Sequence, residues 1–335
     1  MAERAATIAA FLAVAGWHQG ERRKLAGDAS FRRYERLVLD GRRAILMDAP
    51  PPQEDVRPFL AVAALLRRLG LSAPAILAQD ETNGLLLLED LGDGTYTRLL
   101  AEDADEAALY ALAVDVLIHL QRRFDPLPAT LPAYDDDRLL AEAALLVDWF
   151  LPAAIGASLP VEWRASYLDA WRQVLPLAAT AAPTLVLRDF HIDNLLLLPE
   201  RSGVAACGLL DFQDAVVGPA SYDLVSLLED ARRDVPSELA ATMIARYLAG
   251  FPGIDRARFM ASYAVLGAQR SCKIVGIFTR LWKRDGKPQY LAHIPRVWRL
   301  IEQDLRHPAL APVAAWLARH APPANRLLPI ERKTA

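Results

Sequence analysis

Asp189, Asn194 and Asp211 are the residues whose types and spacing suggest chemistry: a carboxylate, an amide five positions on, and a second carboxylate seventeen positions further. A carboxylate and an amide oxygen together suit Mg²⁺, a hard cation that usually keeps part of its shell for water and substrate phosphates. Phosphoryl transfer also needs a separate carboxylate to orient or deprotonate the acceptor hydroxyl. We therefore expect Asp189 to act as the base and Asn194 and Asp211 to hold the metal, with Asp211 reaching the terminal phosphates through it. His191 and Arg188, on the same loop, are placed to order that loop or to steady the base.

These roles require the three positions to converge, and the flanking sequence offers a way. In TLVLRDFHIDNLLLL, residues 184–198, polar groups are set between two aliphatic runs. Residues 184–187, 195–198 and 207–210 read as short buried strands, with Arg201-Ser202-Gly203 as a turn. A hairpin of the second and third strands would bring Asn194 and Asp211 together, with Asp189 on the entering loop. An aspartate followed five positions later by asparagine occurs about once by chance in a chain of this length. Asp and Asn also cap turns. The strand context and the Asp-Phe at hairpin distance favour a site over a set of caps.

Upstream, residues 34–39, 44–47, 75–77 and 85–88 are strand-like and separated by Asp40-Gly41 and Asn83-Gly84, which predicts a small antiparallel sheet. One helix interrupts it from about Glu54 to Leu69, introduced by prolines and ended by Gly70. Beyond about residue 90 helical periodicity dominates. Leu109, Leu112, Ala113, Val116, Leu117 and Leu120 form one apolar face, and Leu139, Ala143, Leu146, Val147 and Phe150 another. The division is expected between residues 1–90 and 91–335, giving an α+β protein with a sheet-bearing N-terminal lobe and a mainly helical C-terminal lobe.

At 335 residues and 53% hydrophobic composition the chain can bury a large core. A net charge of -3 argues against a general nucleic-acid binder. Cys207 and Cys272 show no CxxC pattern, so neither a disulfide framework nor a thiolate metal site is indicated. The six histidines are too scattered for a zinc motif, leaving oxygen ligands for any metal. Residues 5–15 have the outline of a signal peptide, but Ile8, Phe11, Leu12 and Ala15 also fall at helical spacing, and Glu3 weakens a positive leader. No apolar run is long enough to suggest a membrane span.

Four stretches resemble the aminoglycoside-phosphotransferase and protein-kinase-like superfamily: GDASFRRY (27–34), LRDFHIDNLL (187–196), LDFQDAVVGPASYDLVSLLED (210–230) and QRSCKIVGIFTRLWKRDGKPQYLAHIPR (269–296). The closer resemblance, carried by all four and most specifically by the last two, is to the bacterial anomeric sugar kinases that phosphorylate N-acetylmuramate and N-acetylglucosamine in peptidoglycan recycling. The resemblance implies a two-lobed protein-kinase-like fold, an ATP or GTP donor, and transfer of the γ-phosphate to a sugar C1 hydroxyl. It further implies a cytoplasmic monomer whose partners are an amino sugar and a nucleotide, with no nucleic acid and no membrane. Adenine would meet backbone near Glu89 to Leu91. An anomeric hydroxyl is more acidic than an ordinary alcohol, so an oriented carboxylate can assist without a strongly shifted pKa.

Two departures stand out. The third strand offers Met47 or Asp48 where protein kinases carry a phosphate-binding lysine, so Ser30, Arg32 and Arg33 become the candidates for the phosphates. Leu187 stands where many kinases have histidine. By resemblance Tyr134, Asp135 and Glu142 would face the sugar, and Asp214 follows Asp211 closely enough to reach a sugar hydroxyl. Arg270 is a partner for a lactyl carboxylate, with Lys273, Arg280 and Arg284 also available, and Arg270, Lys273 and Arg284 lie near one helical face only if their helix stays unbroken through Gly276. The alternatives are an aminoglycoside, choline or homoserine-type kinase on the same fold, or a kinase-shaped protein without catalysis.

Overall fold

The structure is a computed structural model that describes residues 2–25, 31–125, 131–179 and 183–328. It falls into two compact units, Met1–Arg123 with Ile192–Ala215, and Phe124–His191 with Val216–Ala335. The division expected after residue 90 concerned lobes and their roles; the compact units change over at 123/124, 191/192 and 215/216.

The first unit begins with helix α1 (Ala2–Val14), then β1 (Glu21–Lys24), β2 (Arg33–Leu39), β3 (Arg42–Asp48), α2 (Arg57–Arg68), β4 (Ile76–Asp80), β5 (Leu85–Glu89), α3 (Tyr96–Ala101) and α4 (Glu106–Arg123). The strands form an antiparallel sheet in the order β1-β2-β3-β5-β4. Asp40 and Gly41, with φ of 50° and 76°, join β2 to β3. Positive φ at both central residues gives the two-residue turn whose twist matches that of the strands. β5 lies between two partners, and its four leucines are buried. Strand β1 has the sequence ERRK, and the sequence did not announce it; as an edge strand with every residue exposed, it carries no apolar alternation. The apolar spacing of α1 finds its counterpart in the sheet: Ile8, Phe11 and Leu12 are buried with Leu37, Leu46, Leu85 and Leu87.

The chain continues through α5 (Asp136–Ala143), a π-helical turn over Leu146–Phe150, α6 (Leu151–Ile155), α7 (Val161–Val174) and β6 (Thr184–Val186). Next come β7 (Leu195–Leu197) and β8 (Cys207–Leu209), which pair antiparallel as the expected hairpin. They belong to the first unit, where Leu209 N–H donates to Ser72 C=O at 2.9 Å and Leu197 N–H to Gly94 C=O at 2.9 Å. The second unit resumes with β9 (Val216–Gly218), which pairs with β6, and ends with α8 (Tyr222–Leu228), α9 (Ser237–Ala249), α10 (Arg256–Asp285), α11 (Ile294–Asp304) and α12 (Ala311–His320).

Helix α10 runs unbroken through Gly276, and the reason lies in packing. A Cβ at Gly276 would lie 2.4–2.5 Å from the main chain and Cβ of Leu145, so only glycine lets the backbone beside the π-helical turn come this close. Arg270 and Lys273 point inward from this helix. Arg284, nearly four turns on, is exposed and pairs with Asp285 at 2.7 Å.

Candidate active site

In the first unit, Asn194 stands immediately before β7 and Asp211 two residues after β8. Leu210 N–H donates to Asn194 C=O at 2.9 Å, which ties the open end of the hairpin. Asn194 and Asp211 line one cavity of about 300 Å³, shared with the turn Glu89-Asp90-Leu91-Gly92 and with apolar walls from Ile45, Leu88, Leu196 and Leu210. This combination of apolar walls and a few polar groups is typical of small-molecule sites. Phe212 is buried with its ring 4.9 Å from that of Phe59, which anchors the Asp-Phe pair.

Asp211 has φ +56°, a left-handed conformation that Asp tolerates better than most side chains and that recurs at functional positions. Its carboxylate accepts from Gln213 Nε2 at 2.8 Å and from Arg32 at 3.4 Å. Arg32 is 9% exposed and also approaches Glu54 at 3.8 Å, whereas its neighbour Arg33 is exposed at the start of β2. Ser30 lies outside the described residues. The Asp211 carboxylate and the Asn194 amide offer hard oxygen donors on one cavity wall, which fits a magnesium ion. Among the described residues no cluster of three His, Cys, Asp or Glu side chains offers a competing metal site.

The turn itself is fixed from several sides. Arg36 pairs with Asp90 at 2.8 Å and Asp93 at 2.8 Å, while Asp90 accepts Gly92 N–H at 2.9 Å. The Glu89 carboxylate is engaged by Arg201, lies 3.7 Å from Arg67 and accepts Ala75 N–H at 3.1 Å. Asp214, on the same unit, is exposed, with Gln213 Nε2 at 3.4 Å.

The second unit holds Asp189, on the loop after β6. That loop hangs from Asp223 of α8, a carboxylate only 1% exposed, which accepts Leu187 N–H at 2.7 Å and Arg188 N–H at 2.9 Å. Burial pushes Asp223 up to about 7, opposed by those two donors, which favour the anion. Ser226 Oγ donates to Arg188 C=O at 3.2 Å, and Arg188 itself has φ +70°. Burial disfavours the charge on Asp189, but Lys273, then His191, Arg270 and Arg188 outweigh it and hold this carboxyl below the usual range. Asp189 is therefore ionised at neutral pH, as a proton acceptor must be. Burial holds His191 below its ordinary value, with Asp230 and Asp189 pulling the other way.

Around the loop, the Arg188 guanidinium meets Glu142 at 2.5 Å and Lys273 Nζ meets the same carboxylate at 3.2 Å. The Tyr134 hydroxyl donates to Glu142, and Lys273 donates to the Tyr222 hydroxyl at 3.3 Å. Arg270, 5% exposed, approaches Glu229 C=O at 3.5 Å. Asp135 is exposed and caps α5 by accepting Arg138 N–H at 3.0 Å.

The structure thus groups Arg32, Glu89, Leu91, Asn194, Asp211 and Asp214 in the first unit. Tyr134, Asp135, Glu142, Arg188, Asp189, His191 and Arg270 belong to the second. Sequence reasoning passed over Asp223 and Glu54 and treated Lys273 only as part of a basic face. Asp223 had a signal: it is an acid inside the apolar helix YDLVSLL, and a carboxylate buried there must find donors.

The chain is 39% identical to an N-acetylmuramate/N-acetylglucosamine kinase of Caulobacter vibrioides, over 97% of this chain and 98% of that one. It is 40% identical to a kinase of the same name from Pseudomonas aeruginosa, over 88% and 86% of the two chains. Its fold resembles that of a choline/ethanolamine kinase family protein from Mesorhizobium loti, with a TM-score of 0.61 at 14% identity, covering 94% of this chain and 99% of that one. With residues 21–260 matching the family as a whole, and both the hairpin and the Asp189 loop inside that span, the chain belongs to the Phosphotransferase enzyme family.

Proposed function

We propose that this protein is an ATP-dependent sugar 1-kinase that transfers the γ-phosphate to the C1 hydroxyl of N-acetylmuramate, N-acetylglucosamine or both, in peptidoglycan recycling. The observation that carries this reading is the pair Asn194 and Asp211 on one cavity wall with the 89–92 turn, in a chain whose relatives bear that kinase name. In this reading the main chain of Glu89 to Leu91 receives the adenine, since the Glu89 carboxylate is engaged elsewhere. Asn194 and Asp211 would hold Mg²⁺, which when bound neutralises charge on the transferring phosphates. Arg32, buried and steadied by Glu54, supplies the cation that the third strand lacks.

Asp189, five residues before Asn194 in the chain, accepts the proton of the sugar hydroxyl. Lys273, with Arg270 and Arg188, keeps it ionised. Arg270 is the partner for an acidic substituent on the sugar. The active species is read as a cytoplasmic monomer; among the described residues no helix is long and apolar enough to cross a membrane.

The test is product analysis. Incubation with Mg-ATP and a panel of amino sugars, aminoglycosides and choline, followed by phosphorus NMR, should give an acid-labile, alkali-stable phosphate on an anomeric carbon. Turnover only on an amine-bearing antibiotic or on choline would replace this reading with a different small-molecule kinase.

A further inference from the structure

Glu142 holds an unusual electrostatic position in the second unit. It comes from α5, its side chain is 13% exposed, and it takes two cations at once, Arg188 at 2.5 Å and Lys273 at 3.2 Å. It also accepts the Tyr134 hydroxyl. A carboxylate has about four lone-pair sites, and three partners leave little of it for a ligand. Burial disfavours its charge, yet Lys273 and then Arg188 outweigh burial and hold it ionised. The same two cations, with His191 and Arg270, act on Asp189. Two carboxylates therefore draw on one pair of cations.

We propose that Glu142 is a positioning residue for phosphoryl transfer: by drawing Lys273 and Arg188 to itself, it limits their grip on Asp189 and keeps that carboxylate able to take a proton. This rests on Asp189 serving as the base. In the step it serves, the acceptor O–H proton passes to Asp189 and the oxygen's electron pair forms the new O–P bond. The bond between the γ-phosphorus and the bridging oxygen breaks, releasing nucleoside diphosphate. A cation closing fully on Asp189 would oppose the first of these movements. Glu142 touches none of the reacting atoms and acts only through its two partners.

The geometry behind the proposal is supported from other elements. Tyr134 and Tyr222 pack edge to face at 5.0 Å, with Arg188 over the Tyr134 ring at 5.6 Å and Lys273 over the Tyr222 ring at 5.9 Å. Arg188 is thus held over an aromatic ring, and Lys273 at the Tyr222 hydroxyl, as well as by Glu142. Removing the Glu142 charge takes from both cations the carboxylate that holds them and leaves Asp189 to draw them.

Glu142→Gln keeps the size of the side chain and removes its charge. The expected result is a kcat lower by about 10²-fold, the cost of a misplaced catalytic group, with the KM for Mg-ATP essentially unchanged. Adding Lys273→Met removes the released cation and should restore about tenfold of the loss, since neighbouring residues are non-additive. A raised sugar KM with unchanged kcat would make Glu142 an acceptor ligand and overturn the proposal. So would a double variant no more active than the single one. If Glu142→Gln does not fold, Lys273→Met alone serves: the acid limb of its kcat/KM profile should move to higher pH, and an unmoved limb rejects the idea. Wild-type protein that transfers phosphate to no sugar would instead refute the functional reading. The Glu142 comparison would then still be read from ATP hydrolysis with water as acceptor.

Discussion

Asp189, Asn194 and Asp211 differ in what each would lose on substitution. Asp189→Ala removes a proton acceptor in the second unit and leaves the oxygen donors of the 300 Å³ cavity intact. Nucleotide affinity, measured by calorimetry, should stay near wild type while kcat falls by roughly 10²–10⁴-fold, the usual contribution of a general base. Equal turnover in the two proteins would remove Asp189 from the base role. The relation of Asn194 to Asp211 could be read from the sequence, because the hairpin that brings them to one cavity was legible there. The division of labour between Arg32 and Arg33 could not: the residues are adjacent and chemically identical, and only burial separates them. Glu142 was expected at the sugar because it is an acid in the right region. Its pairing with Arg188, 46 positions away, depends on tertiary packing that no periodicity encodes.

Among the secondary-structure elements, α10 connects sequence to site most directly. Its 30 residues carry Arg270 and Lys273 inward, and Gly276 lets the helix pass against Leu145. Replacing a helical glycine by alanine ordinarily gains about 1 kcal/mol. Here the new methyl would meet main-chain atoms at 2.4–2.5 Å, and overpacking of this kind costs about 1–3 kcal/mol, more where backbone must move. Gly276→Ala should therefore lower stability in urea unfolding, and a gain would show that the π-helical turn yields easily. The major helices and four of the sheet strands could be anticipated from apolar periodicity. Strand β1, exposed along its length, could not, because it carries no apolar alternation, and β9 was not anticipated although β6, β7 and β8 are equally short. The π-helical turn between α5 and α6 was likewise hidden inside one continuous apolar face.

The protein as a whole should respond to pH through carboxyls that folding disfavours as anions. Burial raises Glu229 to about 7 and raises Asp304 well above its ordinary value, with each acting on the other. A Cβ at Gly267 would lie 2.4 Å from Asp304 Oδ2 and 2.8 Å from Glu229 Oε2, which places both carboxyls against α10. Between the unfolded value of 4.5 and the folded value of about 7, the native state binds the extra proton, so stability falls as pH rises through that window and levels off above it. His191, held neutral by burial, works in the opposite sense below its unfolded value of 6.5. Above that pH the carboxyls dominate: Tm should fall as pH rises from 6.5 through about 7 and then level off, and Asp304→Asn should flatten the slope. A wild-type Tm that rises over this interval would contradict the assignment.

The hairpin of residues 192–215 bonds to Ser72 and Gly94, each more than a hundred positions before its partner, Leu209 and Leu197 respectively. During synthesis the first unit must wait on the ribosome for some seventy residues of the other unit to emerge before β7 and β8 arrive to complete it. Neither unit can then be obtained by cutting the gene once; each needs two segments joined across an excised one.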